Sequence, residues 1–353
     1  MEIPEVRKGQ GSVQLSREEF ARRYGQQFCD PAFDAVRGEI DRLIDVAWPA
    51  YDEYRKSPRT NPAGAGYADP TYALPDEWRA ASEAVQAAQH RHEQRDGPPR
   101  VLLICGASRS DQTCPGEMSK TFRLVQLARE VLERDGCECD VLDLSHLASQ
   151  YGRVIYPCKA CVSTAMPLCH WPCSCYPNHA LGQVRDWMNE IYPRWVDAHG
   201  VLIVTPVYWY QVPSGLKLMM DRLVCADGGN PDPTSTGGKD PARAKRRELD
   251  GWHYPRHLAG RAYAVVAHGD AEGALQVRRA VSDWLGDMHL EPAAELDRYV
   301  GYYEPYATSH EALDRDLALQ DEVRWLAARL GARAYEVRRR PPPDPPAPEP
   351  RPK

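Results

Sequence analysis

The chain lacks any excess of basic residues, since it has 44 lysines and arginines against 50 aspartates and glutamates, a formal net charge of −6. Nucleic acids and anionic membranes attract basic surfaces, so we predict neither as a partner. No apolar run reaches membrane-spanning length, and the start MEIPEVRKGQGSVQL lacks the basic-then-apolar order of a signal peptide. We therefore expect a soluble cytoplasmic protein.

Several catalytic and nucleotide-binding motifs are also absent. The sequence contains no G-x-G-x-x-G dinucleotide fingerprint, no Walker A loop, no G-x-S-x-G elbow and no H-E-x-x-H zinc motif. These absences argue against a classical dinucleotide site, a P-loop nucleotidase, a serine hydrolase of that type and a zinc protease. If the chain binds a phosphate, it does so with a loop of another kind.

One stretch, VLLICGASRSDQTCPGEMSK over residues 101–120, has the composition of such a loop. Residues 101–104 are continuously apolar, which is typical of a strand buried on both faces of a parallel sheet. The loop after them contains Ser108, Arg109 and Ser110, and a helical pattern begins at about Ser119. Backbone amides, hydroxyls and a helix N-terminus favour an anion, so this stretch predicts a phosphate site. The alternative is an ordinary strand-to-helix connection with nothing bound.

Apolar strands and helical patterns alternate from residue 99 onward. This order predicts an α/β domain over residues 99–336 with a doubly wound, five-stranded parallel sheet. A helical N-terminal extension over 1–98 precedes it, and a Pro-rich, disordered tail over 337–353 follows. A long polar loop is expected over residues 226–260. The predicted strands are residues 101–104, 137–144, 201–205, 261–267 and 293–300.

The loops after the first, third and fourth strands should meet, because ligands of open parallel sheets bind beyond the carboxyl ends of the strands. The loop PVYWYQVP over residues 206–213 carries three aromatic rings, which suit a flat aromatic ligand. Closing the core or forming a subunit contact is the alternative role for these rings. His268 and Asp270 could form an acid/base pair, or His268 could be a hydrogen-bonded loop residue.

The segments GASRS, TPVYWYQVPSGLKLMMDR and HGD together resemble the flavodoxin-like NAD(P)H-dependent FMN reductase family, including its iron-sulfur flavoprotein relatives, over residues 100–335. The resemblance implies that the first loop binds the FMN phosphate, the second lies along the isoalloxazine ring and the third contacts another edge of the flavin. The implied ligands are Ser108, Arg109, Ser110 and Ser119 for the phosphate, Pro206, Val207, Tyr208 and Trp209 for the ring, and His268, Gly269 and Asp270 for the third edge.

The implied activity is that of an FMN-dependent oxidoreductase. It would accept hydride from NADH or NADPH and reduce a small-molecule acceptor, quinone-like, aromatic or flavin, by a ping-pong mechanism. The cofactor carries such chemistry, so we predict no catalytic side chain. The family also implies a homo-oligomer, a dimer in many members. One alternative is an electron-transfer flavoprotein with a cysteine-ligated iron–sulfur cluster, and another is a zinc-stabilised binding module with an empty crevice.

Five of the eleven cysteines lie in the segment YPCKACVSTAMPLCHWPCSCYPN between the second and third strands. In a reducing compartment, such clustering suggests metal or redox work rather than structural disulfides. The spacing C-x2-C-x7-C-x3-C-x-C is less compact than the cluster motif of the iron-sulfur flavoproteins that it resembles. An iron–sulfur cluster, a zinc ion and reduced thiols near the flavin are three open interpretations. The candidate metal ligands are Cys158, Cys161, Cys169, Cys173 and Cys175.

Overall fold

A computed structural model of the protein describes residues 2–269, 272–299 and 306–340. The α-helices are α1 (Arg17–Gly25), α2 (Arg37–Asp52), α3 (Asp76–Glu93), α4 (Lys120–Arg134), α5 (His146–Ser149), α6 (Met188–Asp197), α7 (Ser214–Arg222), α8 (Pro241–Leu249), α9 (Ala274–Asp287), α10 (Ser309–Arg315) and α11 (Leu317–Arg339). The strands are β1 (Thr60–Pro62), β2 (Ala73–Pro75), β3 (Arg100–Cys105), β4 (Glu138–Asp143), β5 (Gly200–Pro206), β6 (Ala262–Gly269) and β7 (Glu291–Tyr299). None of these helices combines the length and apolar character needed to cross a membrane.

The main sheet has five parallel strands in the order β4-β3-β5-β6-β7. Counted along the sheet strands only, this is the 2-1-3-4-5 order of the flavodoxin-like fold, in which the strand order reverses between the first and third strands. The predicted doubly wound, five-stranded flavodoxin-like sheet is confirmed. Each of its strands overlaps a predicted one, because every predicted segment is rich in apolar residues between turn signals.

Both faces of the sheet are covered, as the apolar runs of its inner strands require. Leu102 and Ile104 of β3 belong to a core formed with α3, α6, α7 and α9. Val101 and Leu103, one position out of step, belong to the opposite core formed with α4 and α11. The alternation of side chains along β3 thus separates two helical layers, and the loops at the strand ends are held from both sides.

The N-terminal helices divide into two groups. α1 and α2 share a small core built from Phe20, Ile40, Ile44 and Tyr51. α3 packs against α6, and its Val85 joins the sheet's core. Although α3 precedes residue 99, where the sequence predicts the start of the α/β domain, its apolar face is part of that domain's packing.

The structure corrects the predicted loop over residues 226–260 and the predicted start of the tail at residue 337. The segment 226–260 is not simply a loop, because Asp240 caps helix α8 with its carboxylate and Pro241 occupies the first helical position. The predicted Pro-rich tail begins later than residue 337, since α11 continues to Arg339. Residues 341–353, and the tail prediction with them, lie outside the described residues.

Candidate functional site

Three loops meet at the carboxyl ends of β3, β5 and β6, which are neighbours in the sheet. The amide of Gly106 donates to the Val204 carbonyl at 2.8 Å, joining the first loop to β5. The amide of Val207 donates to the His268 carbonyl at 2.9 Å, joining the second loop to the end of β6. The predicted loops therefore form one crevice at the edge where parallel sheets bind ligands.

The first loop contains unused donors. Ser110 and Thr113 close a tight turn, in which the Thr113 amide donates to the Ser110 carbonyl at 3.1 Å and the Ser110 amide donates to Thr113 Oγ1 at 3.0 Å. The amides of Ser108 and Arg109, by contrast, donate to no acceptor within the described part of the chain. These two amides are available to an anion placed next to them.

Arg109 is held by an acidic neighbour that the motif did not indicate. Its guanidinium forms an ion pair with Glu117 farther along the same loop, and Glu117 also lies 3.6 Å from the His310 imidazole. The Nε atom of Arg109 is buried and has no hydrogen-bond partner within the described residues. Since an unpaired buried donor is costly, this atom fits a site whose anion would complete its hydrogen bonding.

Ser119 serves α4 directly. Its hydroxyl accepts a hydrogen bond from the Phe122 amide at 3.1 Å, which makes it the N-cap of the helix. The residue is buried, and its capping role fixes the position of the helix N-terminus beside the first loop. A phosphate contact from Ser119 stays a prediction, whereas the helix dipole that its cap positions favours an anion there.

The second loop is a tight turn with two aromatic residues in the left-handed backbone region. Tyr208 and Gln211 pair through two backbone hydrogen bonds of 2.8 and 3.0 Å, and between them Trp209 and Tyr210 have φ angles of 49° and 66°. Turns of this kind normally use Asn or Gly, because other side chains crowd the backbone. Trp209 is nevertheless 92% exposed, so its own burial does not explain the turn.

The third loop touches the aromatic turn closely. A Cβ at Gly269 would lie 3.2 Å from Val207 Cβ, and one at Gly273 would lie 3.1 Å from Tyr210 Cα. Gly273 also has a φ of 118°, which other residues rarely adopt. Sequence reasoning missed Gly273, which lets α9 begin against the turn. Asp270 lies outside the described residues, so its predicted flavin contact and its pairing with His268 stay predictions.

His268 has a different environment from that of an exposed acid or base. Its ring is buried, and Nε2 lies 3.0 Å from the hydroxyl of Thr121 in the first turn of α4. Burial, together with the charge of nearby Lys120, lowers the pKa of His268 to about 4. The neutral ring fastens the end of β6 to α4, and its predicted contact with the flavin edge stays a prediction.

A buried ion pair holds the end of α7, the helix that follows the second loop. Arg222, at the end of α7, donates to Asp186 Oδ1 and to the Tyr156 carbonyl, both at 3.0 Å. Its guanidinium lies over the Tyr176 ring, 4.7 Å from the centroid. Both partners of the ion pair are inaccessible to solvent. Arg222 therefore orders the fold, and the sequence did not indicate Asp186.

The five candidate metal-ligating cysteines do not form a ligand set. Cys161 Sγ lies 3.5 Å from Cys175 Sγ, and the hydrogen bond between them lowers the pKa of Cys161 to about 7. Burial, in contrast, raises the pKa of Cys169 well above its usual range. Within the described ranges, no three His, Cys, Asp or Glu side chains converge so that they could hold a metal ion. An iron–sulfur cluster or a zinc ion does not fit this arrangement, because either needs several converging thiolates.

A large cavity lies elsewhere in the described part of the molecule. It has a volume of about 800 Å³ and is lined by residues such as Gln89, His257, Arg261 and Arg338, near the start of β6 and the end of α11. This is the amino end of the strands, opposite the three loops. Parallel sheets bind ligands at the other end, so we place the candidate site at the loops.

Known proteins match the part of the chain that contains the three loops. The family model described as NADPH-dependent FMN reductase matches residues 99–295. An iron-sulfur flavoprotein of Methanosarcina thermophila is 29% identical over 125 residues, which cover 35% of this chain and 52% of that protein. The match thus spans about half the length of that relative.

Two solved structures show a distant likeness. RosB with a bound 8-demethyl-8-formylriboflavin-5′-phosphate intermediate is 16% identical, with a TM-score of 0.47 over 68% of this chain and 80% of RosB. A structure described as flavone reductase is 14% identical, with a TM-score of 0.42 over 68% of this chain and 64% of that protein.

Proposed function

The chain belongs to the NADPH-dependent FMN reductase family, and from that premise we propose that its three-loop crevice binds FMN and reduces a small aromatic acceptor at the expense of NAD(P)H. The observation that carries the proposal is that hydrogen bonds join the loops. Val207 is hydrogen-bonded to the end of β6, and His268 is hydrogen-bonded to the start of α4. These hydrogen bonds would hold a phosphate site and a ring site next to each other.

The phosphate end of FMN fits the first loop. The unused amides of Ser108 and Arg109, the buried Nε of Arg109 and the N-terminus of the 15-residue helix α4 all favour a bound anion. Ser110, which is already ordered by Thr113, adds a hydroxyl at the same turn. Glu117 forms an ion pair with the Arg109 guanidinium and keeps it at this loop.

The ring end of FMN fits the aromatic turn. Pro206 ends β5, buried Val207 follows it, and Tyr208 begins the turn in which Trp209 is exposed to solvent. Left-handed conformations of non-glycine residues cluster at ligand-binding sites, where the surrounding structure enforces them. Here the enforcing contacts are the paired backbones of Tyr208 and Gln211 and the close approach of Gly273.

When bound, FMN supplies the two-electron chemistry, and the chain's own residues orient the cofactor and its substrates. Val207 and His268 are buried and close the crevice on the sheet side. Substrates would then reach the ring from the open side only, so donor and acceptor take turns, which is a ping-pong mechanism. Aromatic acceptors of quinone or flavin type suit the exposed rings of Trp209 and Tyr210.

The remaining expectations stay proposals. We propose NADPH or NADH as the hydride donor, a location in the cytoplasm and a homodimer. The exposure of Trp209 supports the dimer as well as substrate stacking, because large aromatic side chains are enriched in interfaces.

Anaerobic spectroscopy tests the proposal. Protein loaded with FMN should lose its flavin absorbance when NADPH is added and regain it when a quinone follows. Initial rates at several quinone concentrations should give parallel double-reciprocal lines. If neither NADPH nor NADH changes the spectrum of FMN-loaded protein, the proposed activity is wrong.

A further inference from the structure

We propose that Cys161 and Cys175 are a redox-active dithiol that hydrogen peroxide, or another hydroperoxide, oxidises to a disulfide. The two cysteines are free, and their sulfur atoms lie 3.5 Å apart. A disulfide has a sulfur–sulfur distance of about 2.05 Å, so closure requires a movement of about 1.5 Å. Neither cysteine belongs to the three loops of the crevice, and the proposal does not depend on FMN binding.

The two sulfurs differ in access, which assigns them different steps. Cys161 is half-buried and lies in a short 3-10 turn that begins after Ala160, whereas Cys175 is buried in the main hydrophobic core. A small oxidant reaches Cys161 first, and Cys175 is already in contact with it from the inside. Cys161 is therefore the attacking thiol and Cys175 the resolving thiol.

Two lysines place positive charge around the pair. Lys239 Nζ lies 3.8 Å from Cys161 Sγ and donates to the Leu168 carbonyl at 2.8 Å, which holds it in position. Lys56 reaches the same segment from the N-terminal region and donates to the Ser174 carbonyl, next to Cys175. Negative charge that develops on sulfur at this point is stabilised by both ammonium groups.

The chemistry balances without a metal. The sulfur of Cys161 attacks the peroxide, the oxygen–oxygen bond breaks, and a sulfenic acid and hydroxide form. The sulfur of Cys175 then attacks the sulfenic sulfur, so that the sulfur–sulfur bond forms while the sulfur–oxygen bond breaks. The hydroxide ions leave as water with the two thiol protons. Both sulfurs are oxidised, and the peroxide oxygens are reduced.

Neighbouring thiols are poorer candidates. Cys169 and Cys173 are buried and therefore less accessible to an oxidant than half-buried Cys161. Cys158 is half-buried, and its sulfur accepts the Ala160 amide at 3.4 Å. Cys173 lies near Cys175, since its sulfur is 3.5 Å from the Cys175 amide, so a link between Cys161 and Cys173 is the competing outcome that the test has to separate.

Peptide mapping of the full-length protein tests the proposal. Reduced protein is treated with a small excess of hydrogen peroxide, alkylated under denaturing conditions and digested. Mass spectrometry should find Cys161 joined to Cys175, with two fewer alkylated thiols per chain. A link from Cys161 to Cys158 or Cys173, or a Cys161 that stays fully alkylated, would overturn the assignment.

Variants separate the steps. Cys175→Ser should stop at the sulfenic acid, which dimedone labels at Cys161, and Cys161→Ser should abolish the disulfide. Lys239→Gln should slow disulfide formation several-fold. Cys29→Ser, at an exposed cysteine in the N-terminal region, is the control and should leave the rate unchanged. Because the wild-type map already decides the pairing, misfolding of the variant at buried Cys175 would not rescue a failed proposal.

Discussion

The imidazole of His268 lies 3.0 Å from the hydroxyl of Thr121, so the end of β6 is fastened to the first turn of α4. The same residue accepts the Val207 amide with its carbonyl oxygen. Through these two contacts, one buried residue sets the positions of the first loop, the aromatic turn and the third loop relative to one another.

The stability of the protein should therefore depend on pH through His268. Its pKa is about 4 in the folded chain and about 6.5 when unfolded, so below pH 6.5 the unfolded chain binds a proton that the folded chain does not. The free energy of unfolding should fall from pH 6.5 to pH 4, by up to roughly 3 kcal/mol from this residue. Buried His199 and half-buried His257, whose pKa values are also lowered to about 4, add to the loss.

Urea denaturation between pH 7 and pH 4.5 measures this dependence. In His268→Gln the decline should be shallower than in the wild type, because one buried titrating group is gone. His90→Gln, at an exposed position on α3, serves as the matched control and should keep the wild-type slope. Equal slopes for all three proteins would contradict the assignment.

The aromatic turn predicts opposite effects on stability and activity. Trp209→Gly relieves the left-handed backbone strain at this position, and it loses no buried apolar surface because the Trp209 side chain is exposed. The melting temperature should therefore rise by about 2 °C, which corresponds to about 1 kcal/mol. The KM for a quinone acceptor should increase at least several-fold. Tyr151→Gly is the control, since Tyr151 is 94% exposed but has no positive φ. A Trp209→Gly protein with wild-type KM would show that the turn does not touch substrate.

Two glycines of α9 and its cap offer a matched pair. Gly273→Ala would place a Cβ 3.1 Å from Tyr210 Cα at a φ of 118°, and it should cost about 1–2 kcal/mol of stability and weaken FMN binding. Gly286→Ala, inside α9 with nothing within 4 Å, should instead stabilise the protein by about 0.5–1 kcal/mol. Thermal unfolding of both variants decides; a neutral Gly273→Ala would mean that the third loop is not confined by the turn.

Breaking the buried ion pair between Arg222 and Asp186 should have a large effect on stability. Asp186→Ala leaves the Arg222 guanidinium charged and unpaired in the core, so unfolding should become easier by about 3–5 kcal/mol. Lys217→Ala, which removes a surface ion pair with Asp221 on the same helix α7, should change stability by less than about 1 kcal/mol. A loss below about 1 kcal/mol for Asp186→Ala would show that the pair is not needed.

Local pattern was enough to predict the sheet. The apolar runs around Leu103 and Ile203 have no polar face, so they had to be central strands of a covered parallel sheet, and the loops after them had to share one edge. A local pattern of apolar residues does not predict which side chains from distant segments come into contact. The Thr121–His268 contact depends on how α4 crosses the sheet, and neither residue type indicates it.

In the cysteine segment, too, the sequence pattern did not give the contacts between side chains. Thiol spacing along the chain suggested a metal set, yet the fold buries Cys169 and brings together Cys161 and Cys175, which are 14 residues apart. Spacing alone does not determine which sulfurs converge when two short 3-10 turns, Cys161–Ser163 and Met166–Leu168, lie among them. Charge pairing is equally hidden, because Glu117 became a partner of Arg109 only through the shape of the loop.

Equilibrium titration of the apoprotein with FMN, followed by quenching of flavin fluorescence, tests the central claim most directly. The wild type should bind one FMN per chain, and Arg109→Ala should bind it about 10–100-fold more weakly, the loss expected for a charge-assisted contact. Arg129→Ala, which removes an exposed arginine paired with Glu133 on the same helix α4, should bind as the wild type does. No saturable quenching by the wild type, or equal affinity for Arg109→Ala and Arg129→Ala, would contradict the site.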